Sequence, residues 1–233
     1  MQKNFLIVGG SHGIGYELVR QLAADGHRVT VLSRTPGNLH ELAGVTHQPF
    51  DVLTDPFPVD AAPDTLHGLA YLPGSIQLKS FATMKPEQFR EEFDLNCIGA
   101  VKCIQGALKA LKSTPGSGIV LFSTVAVGTG MPFHASIAAA KGAVEGLTRS
   151  LAAELAPAVR INCIAPSLTD TPLAARLLSS DEKREASAAR HPLKRVGTAA
   201  EIAALAAFLL SENAGWITGQ VIHADGGMGR LKV

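Results

Sequence analysis

The stretch Asn4-Phe5-Leu6-Ile7-Val8-Gly9-Gly10-Ser11-His12-Gly13-Ile14-Gly15 decides the fold. It begins as an apolar run typical of a buried strand and ends where a pattern of helical period starts. Glycines between a strand and a helix let the backbone approach a phosphate closely, and the unpaired N–H groups at the start of the helix favour an anion. We therefore predict a phosphate-binding loop, with a glycine-rich tight turn as the alternative. The expected contact residues are Gly9, Ser11, His12, Gly13, Ile14 and Gly15.

Short apolar strands alternate with longer helical segments along the rest of the chain. We predict strands near residues 4–8, 28–33, 46–50, 67–72, 118–123, 159–164 and 220–224. We predict helices near residues 14–25, 38–43, 86–112, 132–156, 171–189 and 199–211. This alternation is typical of repeated βαβ units. The predicted fold class is therefore α/β: a single domain over residues 1–233 with a doubly wound parallel sheet of about seven strands, a Rossmann fold.

Composition narrows the function classes. The chain has 233 residues, with 21 Lys+Arg against 20 Asp+Glu and a formal net charge of +1, so no overall charge draws it to nucleic acid or to an anionic membrane. No apolar run approaches the ~18 residues of a membrane span. Three cysteines without CxxC spacing, and histidines without ligand spacing, predict neither a disulfide framework nor a metal site. We expect a cytoplasmic protein that acts on a small molecule, with no nucleic acid or membrane partner.

The end of the second predicted strand indicates which dinucleotide the loop would bind. An Asp or Glu about 20 residues after the glycines would accept a hydrogen bond from the ribose hydroxyl of NAD. Ser33 stands there instead, Arg34 follows it, and His12 lies in the glycine loop. Two groups that can carry positive charge suit the 2′-phosphate of NADP, so NADP(H) is the predicted cofactor. The alternative for Arg34 is an ordinary surface arginine at a strand end.

Several motifs, taken in chain order, resemble those of the short-chain dehydrogenase/reductase family. They cover nearly the whole chain and include the glycine-rich loop, an Asp-Val pair, an asparagine motif, a hydroxyl-bearing strand end and a C-terminal signature. They read Val8 to Gly15, Phe50-Asp51-Val52, Leu95-Asn96-Cys97-Ile98-Gly99, Ser123-Thr124-Val125-Ala126, Ile164-Ala165-Pro166-Ser167 with Thr171, and Arg195 to Gly227. The resemblance implies a nucleotide-dependent oxidoreductase with the predicted fold.

The resemblance also implies roles for residues outside the glycine loop. Asp51 and Val52 would lie at the adenine edge, and Gly74 and Thr171 would belong to the nicotinamide end of the cofactor site. Lys141 would hold the nicotinamide ribose. In the family two long helices meet between subunits, so we expect a homodimer or homotetramer.

Departures from the family pattern bear on activity. The family's Asn-Asn-Ala-Gly is replaced by the sequence from Tyr71 to Gly74, and its YxxxK runs from Ile137 to Lys141, so the lysine is present and the tyrosine is not. In the family this tyrosine passes the proton that accompanies hydride transfer, which isoleucine cannot do. Thr124, in the family's serine position, keeps a hydroxyl that can polarise a carbonyl. The predicted catalytic residues are Asn96, Thr124, His134 and Lys141.

His134 is the candidate proton donor in place of the tyrosine. It precedes Lys141 by almost two helical turns, so both side chains project from one face of a helix. The spacing resembles that of the enoyl-reductase branch of the family, in which the tyrosine precedes the lysine by seven residues, and histidine titrates near neutral pH. The alternative is that His134 only begins the helix and contacts solvent or a partner subunit.

Three classes of function remain open from the sequence. The preferred one is an NADP(H)-dependent oxidoreductase that transfers hydride to a carbonyl or an activated double bond of a small apolar substrate. The second is a catalytically silent nucleotide-binding protein with a regulatory or assembly role, which the missing tyrosine and the altered segment 71–74 favour. The third is a lyase, epimerase or dehalogenase on the same scaffold.

Overall fold

Seven parallel strands form the central sheet of the molecule. The computed structural model describes residues 1–232, so Val233, the last residue of the predicted domain, lies outside the described residues. The described residues form nine strands, of which seven belong to this sheet. They are β1 (Asn4–Val8), β2 (Arg28–Ser33), β3 (Val45–Pro49), β4 (Gly68–Tyr71), β5 (Ser117–Phe122), β6 (Val159–Pro166), β7 (Thr169–Asp170), β8 (Gly197–Thr198) and β9 (Val221–Ala224). The order of the main sheet, β3-β2-β1-β4-β5-β6-β9, confirms the predicted doubly wound α/β fold, while β7 and β8 form a separate pair.

Helices cover both faces of this sheet. They are α1 (Gly13–Ala24), α2 (Pro86–Phe93), α3 (Gly99–Lys112), α4 (Ala126–Thr129), α5 (Ala135–Leu155), α6 (Asp181–Ala189) and α7 (Ala199–Leu210). Because successive strand residues point to opposite faces, Leu6 and Val8 pack in one core with α3 and α5. Phe5 and Ile7 pack in the other core with α1 and α7. The central strands β1, β4, β5 and β6 are therefore buried along nearly their whole length, as a sheet covered on both sides requires.

The predicted strands agree with the observed ones, whereas one predicted helix is absent and another is shorter than predicted. Residues 38–43 hold only a three-residue 3₁₀ turn, Leu39–Glu41, because the flanking Gly37 and Gly44 both adopt left-handed backbone that ends a helix. The helix predicted at 171–189 begins only at Asp181, since Thr171 is extended and Ser180 caps α6 by accepting from the Lys183 N–H. The helix predicted at 86–112 is present, but a π-helical segment at Asp94–Ile98 divides it into α2 and α3.

The carboxyl ends of the parallel strands bring the chemically distinctive segments to one edge of the sheet. The strand order reverses between β1 and β4, and this is the position at which open α/β sheets bind their ligands. The glycine loop follows β1, Gly74 comes shortly after β4, Thr124 follows β5, and Ser167 follows β6. The topology therefore places the candidate site at this edge.

Candidate active site

The glycine loop has the backbone shape of a phosphate site. Gly9 and Gly13 have φ angles of +81° and +55°, which L side chains rarely adopt. A Cβ on Gly15 would overlap the carbonyl oxygen of Gly9, and a Cβ on Gly10 would lie 2.8 Å from Val31 Cγ1. His12 precedes α1 without capping it, so the first N–H groups of the helix stay available to an anion.

The loop after β2 lies against the glycine loop on the side where the ribose phosphate is expected. A Cβ on Gly37 would come within 2.6 Å of the Ser11 carbonyl oxygen and 3.6 Å of His12 Cε1. Arg34 is exposed in this loop. Ser33 is buried and donates its hydroxyl hydrogen to the Thr35 carbonyl at 2.9 Å. The arginine is therefore the side chain in this loop whose charge faces solvent, as an anion site at the rim requires.

Asp51 and Val52 shape the edge beyond β3. Asp51 accepts a hydrogen bond from the Leu53 N–H at 3.0 Å and donates its own N–H to Asp55 at 2.7 Å, which makes a rigid turn. Val52 is buried. Among the residues that the structure describes, neither Asp51 nor Val52 lines the central cavity, so they form a separate shelf at the same edge.

A cavity of about 400 Å³ extends from the start of α1 across the ends of β4, β5 and β6. It brings together many of the predicted site residues: His12, Gly13, Ile14, Gly15, Gly74, Thr124, His134, Lys141 and Thr171. The others lie behind or beside it: Gly9, Ser11, Arg34, Asp51, Val52 and Asn96. The remaining wall is largely apolar, with Leu72, Ile76, Leu78, Met131, Leu173 and Leu177. One end therefore suits an anion and the other an apolar group.

Lys141 lies at the junction of the two ends. It projects from α5, is buried, and lines the cavity. Burial lowers its pKa to about 8, an effect that nearby Cys163 and Glu92 partly offset. A Cβ on Gly74 would lie 3.5 Å from Lys141 Nζ and 3.3 Å from Asn96 Oδ1, so the glycine leaves space between these two polar groups. A ligand hydroxyl placed there can meet the ammonium.

Asn96 belongs to a buried polar cluster at the π-helical segment. Its Nδ2 donates to the carbonyl oxygen of Glu92 at 2.8 Å and to Glu92 Oε2 at 3.1 Å, while Ser75 Oγ donates to the same carboxylate oxygen at 2.6 Å. Asn96 Oδ1 and Glu92 Oε1 are buried without a hydrogen-bond partner. Tyr71, in the altered segment, donates its hydroxyl to the Leu95 carbonyl at 2.5 Å. Sequence reasoning missed Ser75 and Glu92, since nothing in the sequence marks a helical glutamate as buried.

Thr124 and Ile137 both line the cavity. Thr124 Oγ1 accepts a weak hydrogen bond from the Ala126 N–H at 3.3 Å, which leaves its own hydrogen free to donate. The neighbouring Ser123 is instead committed to Glu145, 2.8 Å away. Ile137, one turn before Lys141, is buried and lines the cavity with a hydrocarbon side chain. The site therefore has a hydroxyl donor, while Ile137 offers no proton.

His134 lies at the N-terminus of α5 and also lines the cavity. Its Nδ1 is 2.7 Å from the Pro132 carbonyl oxygen, so Nδ1 carries a hydrogen and Nε2 is the free ring atom. The ring is partly exposed. The structure therefore brings His134 to the site and also leaves it at the helix start, in line with both sequence interpretations.

A third histidine of the cavity wall, His191, has no metal-ligand spacing in the sequence that would predict a role for it. His191 is buried, and its Nε2 lies 2.8 Å from Ser167 Oγ. Both residues line the cavity. The serine at the family's usual Pro-Gly position was the available signal, but its partner lies 24 residues away in sequence. Only the folded loop from 168 to 190 brings the two together.

Two kinds of feature are absent from residues 1–232. These residues hold no cluster of three or more His, Cys, Asp or Glu side chains arranged to bind a metal ion. None of their helices combines the length and the hydropathy needed to cross a bilayer.

The fold and the cavity define the structural class of the protein. It is a Rossmann-type α/β protein with its candidate active site where the strand order reverses. A family described as enoyl-(acyl carrier protein) reductase matches residues 8–229. The chain belongs to the short-chain dehydrogenase/reductase family.

Individual relatives agree with this assignment. The 3-oxoacyl-(acyl-carrier-protein) reductase MabA of Mycobacterium bovis is 34% identical over 238 residues, which are 98% of this chain and 94% of the relative. A short-chain dehydrogenase/reductase from Mycobacterium ulcerans superposes with a TM-score of 0.90 at 30% identity, covering 98% and 90% of the two chains. ElxO, solved with NADP bound, superposes with a TM-score of 0.88 at 26% identity, covering 98% and 99%.

Proposed function

We propose that this protein is an NADP(H)-dependent reductase that transfers hydride to a carbonyl or an activated double bond of a small apolar substrate. The observation that carries the proposal is the continuous cavity, which joins the start of α1 to Lys141 and Thr124 and continues into an apolar wall. An anion site, a hydroxyl donor and an apolar pocket in this order suit a dinucleotide with a substrate stacked at its reactive end.

The residues around Gly74 fit the nicotinamide ribose. Asn96 Oδ1 is buried without a donor, and Lys141 Nζ faces the same space beside Gly74. A ribose hydroxyl in this space can accept from Lys141. Arg34 and His12 at the rim would contact a 2′-phosphate, which distinguishes NADP from NAD. When bound, the reduced nicotinamide supplies the hydride.

A relative supports nucleotide binding without the tyrosine hydroxyl. A tyrosine-to-phenylalanine variant of ElxO has been solved with NADPH bound, and it superposes on this chain with a TM-score of 0.87 at 26% identity. We infer that the isoleucine at position 137 is compatible with a loaded cofactor site. Ile137 lacks the proton donor that a tyrosine would provide, and this lack favours some classes of substrate over others.

The missing tyrosine favours substrates whose reduction depends less on an acid. Loss of a positioned general acid costs about 10²–10⁴-fold in rate, so simple ketones should be reduced slowly. Hydride addition to an enoyl thioester leaves a delocalised enolate, which the Thr124 hydroxyl can stabilise by hydrogen bonding before a proton arrives. The family description and the name of MabA both refer to acyl groups on a carrier protein, which agrees with a thioester substrate.

The proton that completes the reaction has two candidate sources in the cavity. His134 stays a prediction as the donor at the N-terminus of α5. The pair formed by Ser167 and His191 in the cavity wall is the other source. A homodimer or homotetramer through the long helices also stays a prediction, which size-exclusion chromatography with light scattering tests.

The reductase proposal is tested with purified protein, NADPH, and three substrates: crotonyl-CoA, acetoacetyl-CoA and cyclohexanone. We expect the fastest loss of the reduced-nicotinamide absorbance with crotonyl-CoA, a slower loss with acetoacetyl-CoA, whose reacting group is a ketone activated by the thioester, and little with cyclohexanone. Gly15→Ala, which fills the glycine loop, is the matched negative control. Tight NADPH binding without oxidation of NADPH by any substrate would replace the proposal with the silent nucleotide-binding alternative.

A further inference from the structure

Ser167 and His191 form an acid–base pair inside the cavity, distinct from Thr124, His134 and Lys141. Ser167 Oγ and His191 Nε2 are 2.8 Å apart, and His191 Nδ1 is 2.8 Å from the Ser187 carbonyl oxygen. His191 is only 3% exposed, and Ser167 and His191 both line the cavity. A hydroxyl held by a histidine that a third group orients is the arrangement by which enzymes activate a hydroxyl.

The surroundings of His191 determine which ring nitrogen carries hydrogen. A backbone carbonyl only accepts hydrogen bonds, so Nδ1 must donate to Ser187. In the neutral ring Nε2 is therefore the acceptor, and Ser167 donates its hydroxyl hydrogen to it. The ring is held in the tautomer that receives a proton from, or returns one to, Ser167.

Met228 provides a partner for the other protonation state of the pair. Its Sδ lies 3.2 Å from Ser167 Oγ. When His191 is charged, Nε2–H donates to Oγ, and the serine hydrogen turns away from the ring toward Sδ or toward a substrate in the cavity. Because the thioether is a weak acceptor, a substrate oxygen or carbanion competes with it successfully. Both states of the pair thus satisfy their hydrogen bonds, so the pair can hold a proton and release it.

Taking the proposed reductase function as given, we propose that Ser167 and His191 deliver the proton that completes the reduction once hydride addition has left an enolate. Hydride adds to the electrophilic carbon, and the π electrons move to the carbonyl oxygen or to the α-carbon. The Ser167 O–H bond breaks as the new O–H or C–H bond of the product forms. The His191 Nε2–H bond breaks as the serine O–H bond is restored, and solvent reprotonates the ring after product release.

Two departures from the family pattern in one cavity support this assignment. Ile137 removes a hydroxyl from the cavity wall, and Ser167 adds one at the usual glycine position. His134, by comparison, is partly exposed, and among the described residues the one hydrogen bond of its ring is to the Pro132 carbonyl oxygen. Because His191 is buried and Ser167 is half-buried, the pair is better shielded from water, which strengthens its hydrogen bonds and its control of the proton.

The geometry also favours proton donation over attack by Ser167 on an acyl group. A serine nucleophile needs N–H groups that stabilise the oxyanion formed at the acyl carbon. The Ser167 N–H is already directed to the Ala224 carbonyl, 3.3 Å away. The pair is therefore assigned to proton transfer, and hydrolysis of the thioester is an outcome that the test detects.

The test compares Ser167→Ala, Ser167→Gly and His191→Gln with wild type in the crotonyl-CoA and acetoacetyl-CoA assays. We expect kcat to fall by about 10²-fold or more, while KM and the Kd for NADPH change by less than about threefold. The solvent deuterium isotope effect on kcat should rise in the variants, because water must then deliver the proton. Ser150→Ala and His40→Gln, both at exposed positions, are the matched controls.

A rescue experiment separates proton supply from a merely structural role. If Ser167 supplies the proton, then adding Ile137→Tyr to the Ser167→Ala variant should raise kcat at least tenfold above that of Ser167→Ala alone. Wild-type turnover that survives in Ser167→Ala and His191→Gln, or that is lost in His134→Ala alone, would overturn the assignment. Release of free CoA without NADPH oxidation would identify Ser167 as an acyl nucleophile and overturn it too. A wild type that oxidises no NADPH contradicts the proposed function itself, and the inference falls with it.

Discussion

The two ends of the cavity are built in different ways. At the cofactor end the shape comes from backbone, since Gly9, Gly10, Gly13 and Gly15 lie where a Cβ would strain the chain or collide with it. At the substrate end the chemistry comes from side chains such as Ile137 and the Ser167–His191 pair. A site made of backbone tolerates almost no substitution, whereas a site made of side chains can exchange its chemistry while the fold persists. This difference would allow the residue four before Lys141 to be an isoleucine while the glycine loop keeps its shape.

Gly15→Ala probes the backbone-built end and should have the largest effect. The added methyl group would overlap the Gly9 carbonyl, so the loop must open and the phosphate contacts are lost. We expect NADPH affinity to fall by more than about 10³-fold, or about 4 kcal/mol, measured by calorimetry. Gly146→Ala in α5 is the control, because a Cβ there meets nothing within 4 Å. Equal NADPH affinity in Gly15→Ala and wild type would show that the loop is an ordinary turn.

Lys141→Met probes the junction of the two ends. Burial lowers the pKa of Lys141 from 10.5 to about 8, so at neutral pH the folded protein bears the cost of a buried charge. Between pH 8 and 10.5 the unfolded chain holds this proton and the folded chain does not, so stability rises with pH across that window. Below pH 8 Lys141 is charged in both the folded and the unfolded protein, so the full cost of burying its charge remains. The variant should therefore be more stable at pH 7, by up to about 3 kcal/mol, while it binds NADPH less tightly.

Urea unfolding of the apo protein at neutral and at alkaline pH checks the Lys141 prediction. The variant should lose the rise in stability between pH 8 and 10.5 that wild type shows. Lys102→Met is the contrast, since Lys102 Nζ donates to the carbonyls of Val52 and Asp55 at 2.6 and 2.8 Å. Its loss should destabilise the protein. A destabilised Lys141→Met would show that the lysine is held by contacts that outweigh desolvation.

Ile137→Tyr probes the side-chain-built end. Ile137 is buried against the cavity, so a tyrosine there would extend into the space where the substrate binds. We expect cyclohexanone reduction to rise by about 10²-fold, with a smaller change for the thioesters. Ile137→Phe provides the added size without the hydroxyl. If the phenylalanine variant gains as much as the tyrosine variant, the effect comes from packing and the tyrosine hydroxyl is not what the site lacks.

Arg34→Asp probes the rim of the cofactor end and should have the smallest effect. Arg34 is exposed, so its interaction with a 2′-phosphate is partly screened by solvent. We expect the preference for NADPH over NADH to fall by about tenfold, as measured by fluorescence titration of both nucleotides. Arg28→Asp, at the opposite end of β2, is the matched control. An unchanged preference would leave Arg34 as a surface arginine and reopen the choice of cofactor.

The sequence predicted the sheet and the glycine loop because both depend on local patterns. The strands predicted at 4–8 and 28–33 agree with the structure residue for residue, because strands buried in a parallel sheet appear in the sequence as short apolar runs. The helix predicted at 171–189 is present only from Asp181, because Thr171 is extended and Ser180 caps the start of α6. Tertiary context decides where such a weak helix begins.

The sequence by itself therefore determined the α/β fold, the place of the glycine loop at the end of β1, and the absence of a tyrosine before Lys141. Only the tertiary structure brought Ser167 to His191, buried the neighbouring Glu92 and Asn96, and buried Lys141 deeply enough to lower its pKa to about 8. Periodicity and glycine spacing act within a few residues of the chain. Hydrogen bonds and desolvation between distant segments depend on how the loops after β4 and β6 fold over the edge of the sheet, which no local pattern specifies.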